Sequence, residues 1–205
     1  MTTELAGSSV LIRKYIMFVS LKTIENTIQV KTQYNPDFID EAKQIGGKFN
    51  GDTKCWEFDV RNKDLIENIL LSIFGTDVNN NNLVDVVVKV NKRLVSERAP
   101  IYLAGRIIAQ ARGRDTGATV AEGISFINKK PQSGGSRQYW TTEIAPDSEF
   151  NIFDLPEGAL KLLNENESIE YEVISKPVLK DDELIQLKAE LVRIQNRIAE
   201  LEATH

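Results

Sequence analysis

RAPIYLAGRIIAQARGRDTGATVAEGISFINKKPQSGGSRQYW, residues 98–140, is the stretch whose reading decides the fold. Apolar runs alternate in it with two clusters of turn-forming residues, Arg112-Gly113-Arg114-Asp115-Thr116-Gly117 and Pro131-Gln132-Ser133-Gly134-Gly135-Ser136. Short apolar segments broken by glycine-rich turns are the pattern of antiparallel strands. Residues 100–111 have the composition of a buried strand, and residues 119–127 alternate apolar and polar side chains. Outward from there, β-branched residues 83–90 form a strand on the N-terminal side, and residues 139–144, 149–153 and 168–174 continue the series. Pro156 opens a short helix over residues 159–163. The expectation for residues 83–176 is a basic, β-rich domain built as a small antiparallel barrel or sandwich.

Residues 10–76 read as a separate α+β module. Residues 10–21 and 27–32 form a hairpin of two strands. Asn35 then supplies a helix N-cap, Pro36 suits the first helical position, and Asp37 puts negative charge in the first turn. Phe38, Ala42 and Ile45 recur at helical spacing until Gly46-Gly47 stops the helix. Lys48-Phe49, the turn Asn50-Gly51-Asp52 and residues 54–60 make a second hairpin, with Trp56, Phe58 and Val60 on one face. A helix over residues 63–74 turns Leu65, Ile66, Ile69, Leu70 and Ile73 inward and ends at Gly75. The resulting β-α-β-β-α core is expected to centre on Trp56. Four consecutive asparagines within residues 77–82 form a polar linker.

The run Tyr34-Asn35-Pro36, Ala42-Lys43, Gly46-Gly47-Lys48-Phe49-Asn50 and Thr53-Lys54, with Trp56 and Phe58, resembles two small modules. One is the HARP module of annealing helicases; the other is a module of phage and plasmid primases. The resemblance covers about a quarter of the chain, residues 28–75. It implies a nucleic-acid-binding role, with Lys48 and Lys54 as contacts near the hairpin and Trp56 in the core. No helicase motor accompanies it.

Charge is distributed unevenly. Residues 86–140 hold ten basic and three acidic residues, a local +7, which leaves −12 on the rest of a chain of net charge −5. A basic island in an acidic chain suggests a surface facing a polyanion; the competing reading is several ordinary solvated faces. Arg106, Arg112, Arg114, Lys129, Lys130 and Arg137 are the candidate phosphate ligands, aimed outward by the two turn clusters, with Tyr139 and Trp140 as possible stacking partners. Neither cluster is a Walker A loop, because the Gly-Lys-Ser/Thr ending is missing.

No catalytic residue is assigned. The single His205 is terminal, which removes Ser-His-Asp and Cys-His chemistry. Cys55 and His205 do not furnish an ordinary zinc site, so neither metal nor cofactor is expected. One cysteine permits no internal disulfide and fits a reducing, cytoplasmic compartment. No segment is long and apolar enough to suggest a membrane span.

Leu184, Leu187, Leu191, Ile194, Ile198 and Leu201 are spaced 3, 4, 3, 4 and 3 residues apart, an a/d seam over residues 180–203. Glu183 with Lys188 and Arg197 with Glu202 complete g/e pairs for a parallel coiled coil, which makes a homo-oligomer the expectation. Ile185 and Val192 widen the stripe toward a single packed helix, the alternative. The expected function is non-enzymatic, sequence-tolerant binding of nucleic acid, DNA above all, by a protein of phage or mobile-element type. The alternative is a protein that inhibits a host factor or sequesters a small phosphorylated nucleotide.

Overall fold

A computed structural model describes residues 19–76 and 82–175, with Leu191, Arg193 and Ile194 in the tail. The first unit opens with β1 (Val19–Ile24) and β2 (Thr27–Thr32), followed by α1 (Pro36–Gln44), β3 (Lys48–Asn50), β4 (Cys55–Asp59) and α2 (Lys63–Phe74). Its four strands form one antiparallel sheet in the order β1-β2-β4-β3. Residues 10–18 of the expected first strand lie outside the described residues. The local signals for α1 act as read. The Asn35 side chain accepts from the Phe38 amide at 3.1 Å, and Gly46, at φ +79°, follows the helix in the left-handed region.

Ile28 and Val30 from β2, Phe38 and Ala42 from α1, Phe58 from β4, and Ile66 and Leu70 from α2 bury their side chains together. Each large member contributes about 1.5–3 kcal/mol by leaving water. The centre of this core is Phe38, 1% exposed, and not the expected Trp56. Trp56 is half-buried at the rim, edge-on to Phe38 with ring centroids 6.1 Å apart. Leu65, expected inward, is 51% exposed, because Ile66, Ile69 and Leu70 already fill the inner stripe of α2.

The second unit contains β5 (Leu83–Val90), β6 (Leu94–Glu97), β7 (Ile101–Leu103), β8 (Arg106–Ala111), β9 (Ala118–Val120), β10 (Ile124–Phe126), β11 (Gln132–Gly135), β12 (Trp140–Ile144) and β13 (Glu149–Pro156). A 3-10 turn, α3 (Leu160–Asn164) and β14 (Ile169–Ser175) complete it. The strands form three antiparallel sheets, β10-β13-β5-β14, β11-β12-β6 and β7-β8-β9. The expected barrel is not closed, because hydrogen bonding breaks between the three sheets. Their inner faces nonetheless share one core that includes Val86, Val88, Ile108, Ile144, Phe150 and Leu155. Residues 100–111 are a hairpin and not one strand: Ala104 and Gly105, at φ +48° and +73°, turn the chain between β7 and β8. Gln132–Gly135, expected as a loop, is a strand paired with β12.

The two units pack directly. Asn35, the cap of α1, also donates to Gly105 O at 3.2 Å. A Cβ at Gly105 would collide with Ile73 O and the Phe74 ring, so the turn between β7 and β8 meets the end of α2 only because no side chain stands there. Gly75 is likewise held against Ala159. Among the described residues, no helix is long and apolar enough to cross a membrane. Leu191 and Ile194 are helical and more than half exposed; Leu184, Leu187, Ile198 and Leu201, hence most of the seam, lie outside the described residues.

One expected ligand is withdrawn by the fold. Arg106 is 2% exposed, and its guanidinium donates to Phe153 O at 2.5 Å and to Glu122 O at 3.3 Å. Burial holds its pKa down to about 10, although Asp154 and Glu122 pull the other way. Arg106 therefore ties β8 to the irregular end of β13 and does not face a partner. Removing a buried charge while leaving the buried Asp154 without its counter-charge costs about 3–5 kcal/mol. Arg106→Met should lose stability of that order in urea denaturation; an unchanged midpoint and slope would contradict the structural role.

Candidate nucleic-acid interface

Two arginine-bearing turns meet at one hydroxyl. Thr142, in the middle of β12 and fully buried, accepts from the Ala111 amide at 3.0 Å and donates to Ala99 O at 2.8 Å. Ala111 ends β8 and leads into Arg112. Ala99 follows Arg98, whose own amide donates to Trp140 O at 2.9 Å. Thr142 is thus the point at which the turn after β6 and the loop after β8 are pinned to β12.

The loop carrying Arg112 and Arg114 is held from its other side by Ser133, the register partner of Thr142 on β11. The Ser133 hydroxyl donates to Arg114 O at 2.6 Å and accepts from the Gly117 amide at 3.0 Å. Within the loop, the Thr116 hydroxyl donates to Gly113 O at 3.0 Å. What reads in the sequence as a free hairpin tip is therefore a braced loop lying against β11. Beyond β11 the chain turns through Ser136, whose hydroxyl accepts from the Tyr139 amide at 3.0 Å, and this turn presents Arg137. Arg98 lies over the Tyr139 ring, 5.5 Å from its centroid.

Arg98, Arg112, Arg114 and Arg137 are exposed, as is Tyr139. Two of the four already have an acidic neighbour in sequence: Arg114 pairs with Asp115 at 2.9 Å, and Arg98 lies 3.7 Å from Glu97. Both pairs are exposed and contribute at most about 1 kcal/mol, so either arginine can exchange its carboxylate for a phosphate. Behind this surface, Glu143 accepts from Thr141 at 2.5 Å and from Arg93, which hold its carboxyl below the usual range. Gly134 leaves the room this carboxylate occupies beside β11.

Lys129 and Lys130 are exposed and precede β11, whose four residues, about 13 Å of extended chain, separate them from the turn that carries Arg137. Lys129 is also engaged with Pro146 O at 2.9 Å and with Asp147 at 3.4 Å. In the first unit, Lys48 is exposed on β3, and Lys54 is exposed in the turn before β4 at φ +54°. Of the residues expected to bind phosphate, then, Arg112 and Arg114 share one braced loop, Arg137 stands in the turn beyond β11, Arg106 is buried, and Lys48 and Lys54 lie in the first unit. Arg98 joins the group although the sequence does not mark it as a ligand. Its signal is weak there, because its neighbours are Glu97 and Ala99 and its partner Tyr139 is 41 positions away.

In comparison with known proteins, the chain matches no family model, no curated protein and no solved structure.

The bracing is testable by removing the hydroxyl alone. Thr142→Val keeps the shape but strands the Ala111 amide and the Ala99 carbonyl, each costing about 1–3 kcal/mol if left unsatisfied. A loss of stability in that range should accompany faster amide exchange through residues 112–117; protection equal to wild type would show that the loop is held otherwise.

Proposed function

We propose that this chain is a non-enzymatic nucleic-acid-binding protein that grips phosphates with little regard to sequence. The observation that carries the reading is the bracing of exposed arginines on neighbouring turns: Arg98 and Arg112 are launched from the two turns pinned by Thr142, Arg114 from the loop held by Ser133, and Arg137 from the turn of Tyr139, whose ring lies under Arg98. Arginine presents a planar fork that matches phosphate oxygens in pairs, and it remains charged at any physiological pH. Four such groups on three braced turns offer a pre-arranged surface, so little side-chain and loop order has to be gained on binding. Bonds of this kind position a strand and do not read its bases. The acidic remainder of the chain, −12 outside residues 86–140, confines attraction to that surface. The resemblance of residues 28–75 to nucleic-acid-binding modules of phage and plasmid proteins points the same way. DNA is the partner to try first. Pairing of two copies through residues 180–203 would double the arginine surface and raise affinity by avidity.

Reversing the charge of Arg112 and Arg114 together should weaken binding to single- and double-stranded DNA irrespective of sequence. It should also flatten the plot of log affinity against log salt by about 0.7–0.9 for each phosphate that is no longer neutralised. Reversal of the exposed Lys22 and Lys161 is the control and should change the slope little. Equal effects from both pairs would mean diffuse attraction without a site. Absence of binding by the wild type at low salt would defeat the reading and favour the host-factor alternative.

A further inference from the structure

The first unit holds a second feature that the arginine surface does not use. Between the edge of β3 and β4 and the outer face of α1 lies a cleft of about 640 Å³, walled by Tyr34, Phe49 and Trp56 and bordered by Lys31, Lys43 and Lys54. Among the described residues lining it there is no carboxylate. Phe49 is 56% and Tyr34 63% exposed, so two large rings stand in water beside a cleft they do not fill. Burying a phenylalanine stabilises a fold by about 1.5–3 kcal/mol, and here that gain is left open. The rings are not a disordered fringe: Phe49 and Trp56 are register partners across β3 and β4, with centroids 5.7 Å apart and planes inclined at 57°. Trp56 is braced from behind by Phe38. The floor of the cleft is therefore rigid and apolar, and its border is cationic.

We propose that this cleft binds one unpaired nucleotide, its base against Phe49 and Trp56 and its phosphate among Lys31, Lys43 and Lys54. Every nucleobase has a π-face, so stacking on aromatic side chains is tolerant of sequence, and lysines at the border meet the phosphate as mobile point charges. A base inside a duplex has both faces already stacked and cannot enter without leaving its helix. An acidic peptide satisfies the lysines but leaves the two aromatic walls uncovered, which is why the occupant is a nucleotide. The same chemistry can come from a single strand or from a free mononucleotide.

The chain's two tryptophans, Trp56 and Trp140, make the site readable. In a Trp140→Phe background the remaining fluorescence reports Trp56. The probes are a single-stranded DNA of roughly ten nucleotides, within the site size of single-strand-binding modules, the same sequence as a blunt duplex, and adenosine monophosphate. Quenching by the single strand, at least about fivefold weaker in Phe49→Ala, as expected for the loss of one stacking ring, supports the cleft as a strand-binding site. Quenching by adenosine monophosphate without quenching by the strand supports it as a mononucleotide site. In either case charge reversal of Arg112 and Arg114 should leave the Trp56 quenching in place, which separates this site from the arginine surface. Anisotropy of a labelled oligonucleotide on the otherwise unaltered chain, with and without Phe49→Ala, checks that the Trp140 substitution has not created the result. No quenching by either nucleotide probe, equal quenching by the duplex, or unaltered affinity in Phe49→Ala would overturn the proposal.

Discussion

A hydroxyl sealed from water has to find a donor and an acceptor inside the protein, and Thr142 finds both in turns that belong to other strands. Its two bonds, to Ala111 N–H and Ala99 C=O, join the sheet containing β8 to the sheet containing β6 and β12. Backbone hydrogen bonding does not run on between these sheets, so side chains must hold their edges in register. Thr142 does this at the point where Arg98 and Arg112 leave the fold, and Ser133, its neighbour across β11, repeats the device for the segment from Arg114 to Gly117. The arginines are flexible at their tips, yet the backbone that launches them is fixed at three places.

Depth decides what a positive charge in this chain does. Arg106 lies in the same basic stretch as Arg112, six residues away, but has become part of the core. Its guanidinium satisfies the carbonyls of Phe153 and Glu122 where β13 departs from regular pairing, and Asp154 adopts φ +53° at that irregularity. Desolvation opposes the charge there, and neighbouring acids offset part of that cost. The exposed arginines carry no such burden and remain free to meet an external anion. Counting charges along the sequence gives the size of the basic island but not which members reach the surface.

The first unit is legible where its signals are local. The Asn35 cap with Pro36, the Gly46-Gly47 stop and the apolar stripe of Lys63–Phe74 are written within one or two helical turns each, and the structure follows them. The second unit hides its organisation where the determining interactions are remote. The turn at Ala104–Gly105 sits inside a mostly apolar run, and the charged residue that follows it, Arg106, is itself drawn into the core instead of marking an exposed bend. Gln132–Gly135 looks like a loop because a strand at the edge of a sheet can be held by backbone bonds to β12, which glycine provides as well as any residue. The cleft is half legible. Lys54 and Trp56 stand out, but Trp56 reads as the core centre, since alternation on a strand tells which face a side chain takes and not how far a helix covers that face.

Together these features describe a scaffold that offers a braced arginine surface in one unit and an aromatic, lysine-bordered cleft in the other, with Asn35 and Gly105 holding the units together. The most direct test of the central claim is a map of backbone amide shifts as single-stranded DNA is added to the isotope-labelled chain at low salt. The account predicts shifts concentrated at residues 98–99, 112–117 and 136–139, with a second group around Phe49 and Trp56 in the cleft. Shifts absent from all three turns, or spread evenly over every exposed lysine and arginine, would contradict it.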